Sequence, residues 1–197
     1  MSRASTFSLS SRSPLPDSYN GHSIRTDHRT ILRIMRMMRD PEIDDRDRMP
    51  LMLKMFYVGS MPKDAADGFE WFFRCGDTDE STPGSGKRDF DYEQDAQEIY
   101  AAFYQVYRID LFEETLHWWR FSALLSGLFS TENALSNKVR LRHADDNDSQ
   151  KKAALDRAKR SVAIKDAHSV SETTAQEQLQ KALKEGADIT AILNQMR

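Results

Sequence analysis

Residues 90–128 read FDYEQDAQEIYAAFYQVYRIDLFEETLHWWRFSALLSGL, and this stretch decides the fold class. Ala96, Ile99, Tyr100, Phe103 and Tyr107 recur at helical spacing, and so do Trp118, Phe121, Leu124, Leu125 and Leu128. The pattern predicts two amphipathic helices. Asp91 and Gln94 form a variant capping box that opens the first. The second is expected from about Glu113 to Ser126, stopped by Gly127, and the corner 108–111 would fold the pair into an antiparallel hairpin. Two of the three tryptophans stand side by side at Trp118 and Trp119, a density of large apolar side chains that must be buried or bound. The stretch assembles no set of groups for chemistry and reads as a packing and contact surface.

Working towards the N-terminus, residues 77–89 (DTDESTPGSGKRD) are polar, aperiodic and rich in Gly, Pro and Ser, the composition of a linker. Before it, Ala65, Ala66, Phe69, Phe72 and Phe73 predict a helix after Pro62 with Gly76 as its C-terminal cap. An earlier helix is expected to start near Asp47, with Pro50 in its first turn, Met52, Leu53 and Phe56 on one face, and Gly59 at its end. Residues 26–39 place Ile31, Ile34, Met35 and Met38 on one helical stripe with arginines over much of the rest. Asp27 or Thr26 would cap this helix, and Asp40-Pro41 would stop it. Asn20-Gly21 signals a tight β-hairpin, too short to stand without a helix to lean on. Residues 1–14 are Ser-rich, with little to bury, and are expected to be disordered.

Towards the C-terminus, Leu135 and Val139 mark a shorter helix. Residues 143–165 are charge-laced, with only Leu155, Ala158 and Val162 forming a narrow stripe, and residues 171–197 repeat that pattern around Leu179, Leu183, Ile189, Ile192 and Leu193. The chain therefore reads as mainly α: a small helical bundle with a short N-terminal β-hairpin and extended C-terminal helices. The expected divisions are a disordered 1–14, a hairpin with helices over 15–76, a linker over 77–89, a helical hairpin core over 90–142, and a charged arm over 143–197.

At 197 residues with 39% hydrophobic content, a core of modest size is available. Charged residues make up 30%, yet the formal net charge is only -3, so no polyanion-binding surface dominates and nucleic acid is not the expected partner. No apolar run approaches the roughly 18 residues that cross a bilayer, and the first residues lack the apolar core of a secretion signal. The single cysteine, Cys75, lies beside Trp71, Phe72 and Phe73 and reads as a small buried hydrophobe. A cytoplasmic protein without membrane contact is expected.

Asp91, Glu93, Asp95 and Glu98 cluster in a first helical turn, where carboxylates offset the helix dipole; a metal site is the weaker reading, because no His or Cys supplements them. His117 follows Glu113 and Glu114 at helical spacing, but no nucleophile accompanies it, and the five histidines show no zinc-ligand spacing. The fragment 84–87 departs from a phosphate loop at Ser81 and Arg88. Trp119-Arg120 and Tyr107-Arg108 could stack on bases, but no basic groove accompanies them. No enzyme activity, cofactor or metal is expected. Apart from Met1 and Met196, every methionine lies between Met35 and Met61. Such a cluster suits a surface that accepts many apolar shapes, and equally an ordinary core.

The segments Phe90–Ala96, Ile99–Phe103, Tyr107, Ile109–Leu111, Leu116–Trp119, Phe121, Leu124–Leu125 and Gly127–Leu128 resemble a family of tailed-bacteriophage and prophage proteins known as tail assembly chaperones, encoded near the tape measure gene. Asn20-Gly21 and Thr26-Asp27 add to the likeness, which covers roughly residues 15–142. Arg108 departs from it, standing at a corner where the family commonly has Gly. The resemblance implies a non-catalytic host-cytoplasmic factor that holds the tape measure protein soluble until tail tube subunits polymerise around it. Met35, Met38, Met52, Phe56, Trp118 and Trp119 are then the expected partner-binding residues. Tail tube protein and a second copy of the chain are further expected partners, and a structural place in the tail or head-tail junction is the alternative.

Overall fold

A computed structural model describes residues 15–77, 89–145 and 149–165. The chain divides into two units, Met1–Val162 and Ala163–Arg197; of the second only residues 163–165 are described, and the account below concerns the first. The expected disordered start, most of the linker and the arm from Ser171 onward lie outside the described residues.

The predicted class holds: described residues form a two-stranded antiparallel hairpin and seven helices. Strands β1 (Ser18–Tyr19) and β2 (His22–Ser23) pair Ser18 with Ser23 and Tyr19 with His22. Asn20 and Gly21 both take positive φ, 47° and 80°, the backbone of the tight turn that the Asn-Gly dipeptide favours. The hairpin does lean on a helix. The Tyr19 hydroxyl donates to Asp64 at 3.1 Å, and the Tyr19 ring meets Trp71 at 5.5 Å.

Helix α1 (His28–Met38) is capped by Asp27, whose carboxylate accepts from the Thr30 amide at 2.8 Å, and it buries His28, Ile31 and Ile34. Helix α2 (Asp45–Phe56) starts earlier than its proline suggests. Asp44 caps it through the Arg46 amide, and Asp45 and Asp47 favour its first turn, so Pro50 falls inside the helix. It lies on the exposed side, where the hydrogen bond it cannot donate is replaced by water at the surface. The helix ends at Phe56, three residues before Gly59.

Helix α3 (Ala65–Phe73) closes in a Schellman motif. The Gly76 amide donates to Trp71 O at 2.9 Å and the Cys75 amide to Phe72 O at 3.0 Å. Cys75 itself holds the left-handed position, φ 57°, with Gly76 next at 79°, so the expected glycine cap is shared with a cysteine.

Asp91 makes the predicted turn, accepting from the Glu93 and Gln94 amides, but its own N–H is taken by the Asp95 carboxylate and not by Gln94. Helix α4 (Ala96–Tyr107) follows and ends at Arg108 in the left-handed region, φ 59°. The expected short corner is replaced by a longer connection, residues 108–117. From Arg108 the chain runs back along α4: the Tyr100 hydroxyl bonds Asp110 at 3.2 Å, and its ring meets Phe112 at 5.0 Å. Helix α5 (Trp118–Leu128) packs on α4, Phe103 stacking on Phe121 and Tyr107 bonding Leu124 O. It starts five residues later than expected because His117 caps it, Nδ1 accepting from the Trp119 amide.

Gly127 does not stop α5 but sits within it. A Cβ there would come within 2.6 Å of the Tyr107 hydroxyl. Helix α6 (Ala134–His143) opens on a capping box between Asn133 and Ser136. Helix α7 (Ser149–Val162) follows; its Leu155, Ala158 and Val162 are half-buried and most of its other described side chains are exposed, as the narrow stripe predicted. One core joins residues from both sides of the linker, including Ile31, Ile34, Phe56, Phe72, Phe103, Trp118, Trp119, Phe121 and Leu128.

Two substitutions should move stability in opposite directions. Gly127→Ala displaces the Tyr107 hydroxyl from Leu124 O and is expected to cost about 1–2 kcal/mol. Arg108→Gly relieves a left-handed side-chain residue and is expected to add about 0.5–1 kcal/mol. Urea unfolding followed by tryptophan fluorescence checks both, and equal midpoints for the two variants would contradict the assignment of Gly127 and Arg108 to these roles.

Candidate functional site

Four of the six expected contact residues belong to the core. Met52, Phe56, Trp118 and Trp119 are buried almost completely, and the two indoles are also occupied as donors: Trp118 Nε1 bonds Phe73 O at 2.9 Å and Trp119 Nε1 bonds Phe72 O at 2.8 Å. Their surface is spent inside the protein, so the expectation that they meet a partner directly is corrected here. Met35 and Met38 are half-buried and pack against the same core. Of the methionine cluster, Met49 and Met61 are the exposed members.

The acidic cluster does more than offset a helix dipole. Asp95 is wholly buried and receives Arg142 through both carboxylate oxygens at 2.7 Å, Lys138 at 2.8 Å, and the Asp91 amide at 2.9 Å. Burial alone would raise its pKa; the hydrogen bonds from Arg142, Lys138 and the amide outweigh that and lower it to about 2. Asp91 is likewise buried and meets Arg39 at 2.6 Å. Burial opposes its ionised form, but the Gln94 and Glu93 amides and Arg39 hold its carboxyl below the usual range. Glu98 shares Lys138 at 2.8 Å. These pairs join α1, the turn before α4, and α6. Among the described residues no group of three or more His, Cys, Asp or Glu side chains could hold a metal ion. The cations that complete the cluster lie 40 or more residues away along the chain, which sequence spacing could not disclose.

Both interior histidines are structural donors or acceptors. His117 caps α5 through Nδ1, and its Nε2 bonds Pro16 O at 3.0 Å. His28 stacks on Phe121 at 5.0 Å, and its Nδ1 takes the Leu116 amide at 3.2 Å. Burial pushes both rings below the ordinary histidine pKa, so they are neutral at pH 7.

Two of the exposed large apolar side chains belong to a second aromatic group. Phe112 is 77% exposed and Tyr104 is 50% exposed. The Tyr100 ring lies between them, 5.0 Å from Phe112 and 6.3 Å from Tyr104. The loop that carries Phe112 is fixed from beneath. Arg29 Nη2 reaches Leu111 O at 3.0 Å, Phe112 O at 2.6 Å and Glu114 O at 3.5 Å. Asp110 accepts from the Phe112 amide at 2.9 Å, and its carbonyl takes the Glu113 and Glu114 amides. An exposed phenylalanine on a loop held by so many bonds is a presented group. The sequence carried one signal of it, a Phe set among Asp110, Glu113 and Glu114, where a solvated corner would be polar throughout.

The sequence profile of a family described as Bacteriophage Gp15 protein matches residues 15–164. No curated protein and no solved structure matches the chain. No helix among the described residues is long and apolar enough to cross a membrane.

The charge network sets the acid response. Asp95 has its pKa lowered in the folded chain, so its contribution is present above the unfolded value near 3.8 and is lost as pH falls towards about 2. His28 and His117, also lowered, give up stability earlier, as pH falls below 6.5. Denaturant midpoints measured against pH should thus fall in two stages, and Asp95→Asn should shrink the lower one to the part that Asp91 contributes, while costing about 2–4 kcal/mol at pH 7. A single-stage profile in the native chain would contradict the roles given to these groups.

Proposed function

Because the chain belongs to the Bacteriophage Gp15 protein family, we propose that it is a phage tail assembly chaperone that binds the tape measure protein and keeps it soluble until tail tube subunits polymerise around it. The observation that carries this reading is the exposed aromatic group at Phe112, fixed on its loop by Arg29. A rigid, solvent-facing ring suits brief contacts with the apolar stripes of a long helical client. Around it the chain keeps a dense cover of charge, 30% of residues at a net of -3, which suits a carrier that must itself stay dispersed.

A contact area this small favours fast exchange, and fast exchange is what lets tube subunits displace the carrier. Tail tube protein is the second partner in this reading, and the host cytoplasm is where assembly takes place. The role needs no catalytic step and no cofactor.

Co-expression with the tape measure protein from the same phage genome should raise the soluble fraction of that protein severalfold and yield a complex on size exclusion. Unchanged solubility would overturn the reading. Mass spectrometry of purified virions is the complementary measurement: a chaperone is absent from them, whereas stoichiometric copies in the particle would make the chain a structural component of the tail or head-tail junction.

A further inference from the structure

The exposed aromatic group has a definite chemical bias. Tyr100 and Tyr104 are one helical turn apart on α4 and form a ridge, with Phe112 closing one end. Beside the rings stand Glu113 and Glu114, both exposed and without an ion-pair partner among the described residues. Asp110 adds a third carboxylate at the Tyr100 hydroxyl. Partial desolvation, then the charge and hydrogen bond of Asp110, hold that hydroxyl above its ordinary pKa. On the opposite side of the balance, Arg29 is turned inward onto three carbonyls, and the exposed Arg108 follows Tyr104 by one turn at the end of α4.

Aromatic faces attract lysine and arginine through the ring quadrupole, and adjacent free carboxylates reinforce the attraction. The same faces take up aliphatic side chains. A partner suited to both carries a short apolar stripe bordered by basic residues, and a helix offers that arrangement at the one-turn spacing of Tyr100 and Tyr104.

We propose that the Tyr100, Tyr104 and Phe112 surface is the client-docking site, and that its occupant is an amphipathic helical segment whose apolar stripe is bordered by lysine or arginine. The assignment rests on the reading of the chain as a tape measure chaperone and names the surface and the segment chemistry that reading leaves open. Arg29 acts as a positioning residue: it holds the loop so that Phe112 faces solvent. Because Phe112 and Tyr104 are exposed, their removal should leave the fold intact, which separates binding from stability.

The test uses the full chain co-purified with the tape measure protein of the same genome, and affinity measured by titration of that protein at low and high salt. The Phe112→Ala and Tyr104→Ala variants should each weaken binding by about tenfold, as expected of aromatic anchors. The double variant Glu113→Lys with Glu114→Lys should weaken binding by a similar factor and flatten its salt dependence. Met61→Ala, an exposed apolar residue between α2 and α3, should bind within about twofold of the native chain. Thermal unfolding of each variant shows that the fold persists. If the native chain binds and all variants bind equally well, this assignment is overturned while the chaperone reading stands. If the native chain does not bind the tape measure protein, both fall. Loss of self-association without loss of client binding would assign the surface to a second copy of the chain and likewise overturn the proposal.

Discussion

Two successive indoles satisfy two successive carbonyls. Phe72 and Phe73 end α3, where the last carbonyls of a helix have no partner within it; Trp119 Nε1 and Trp118 Nε1 supply the donors. Each tryptophan buries a large apolar surface that could otherwise slide among many packings, and the N–H fixes which packing is adopted. Phe72 O also takes the Cys75 amide, so it is the Phe73 carbonyl whose loss of an indole would cost about 1–3 kcal/mol, and that cost favours this arrangement over alternatives. Backbone bonds continue the seam. The Trp118 amide donates to Thr26 O at 2.6 Å and the His28 amide to Leu116 O at 2.9 Å, so one four-residue segment, 116–119, ties the end of α3 and the start of α1 to the start of α5.

A second constraint works through charge. Asp95 inside the protein would be unstable alone, but Arg142 and Lys138 converge on it from α6. Arg142 reaches further, donating to Asp89 O and to Val162 O at the end of α7. One guanidinium therefore joins the turn before α4 to the ends of α6 and α7. Three of the network's acids, Asp91, Asp95 and Glu98, are ones whose apparent task in the sequence is to favour a helix start. The near balance of charge in the chain is not simply a solvated coat: part of it holds helices in place.

The aromatic stripes, the Asn-Gly turn, the Asp27 cap and the narrow stripe of α7 were legible because each rests on local periodicity or local capping. The failures share a cause. A helix was placed over Glu113–Leu116 because its residues allow one, while His117, an uncommon cap, begins the helix where its ring can also hold Pro16. Gly127 looked like a terminus, yet it is there for the Tyr107 hydroxyl, a neighbour 20 positions away in the chain. Pro50 looked like a first-turn residue, but the run of acids from Asp44 to Asp47 starts α2 before it. Most decisively, the tryptophans and Met52 and Phe56 read as contact residues because apolar density marks both cores and binding faces. Only their tertiary partners assign them to the core.

That assignment changes what kind of binding the chain can offer. With the largest aromatics satisfied internally, the surface proposed to meet a client is a small ridge of rings flanked by carboxylates. Small area means short residence, and charge beside the rings makes selection depend on the basic character of the segment as well as its apolarity. A long client would then be held through repeated weak engagement by many copies, each replaceable independently. The burial of the tryptophans supplies a stable platform, and under the proposed reading the exposure of Phe112 and Tyr104 would supply reversibility; with these tasks on different residues, one could be altered without the other.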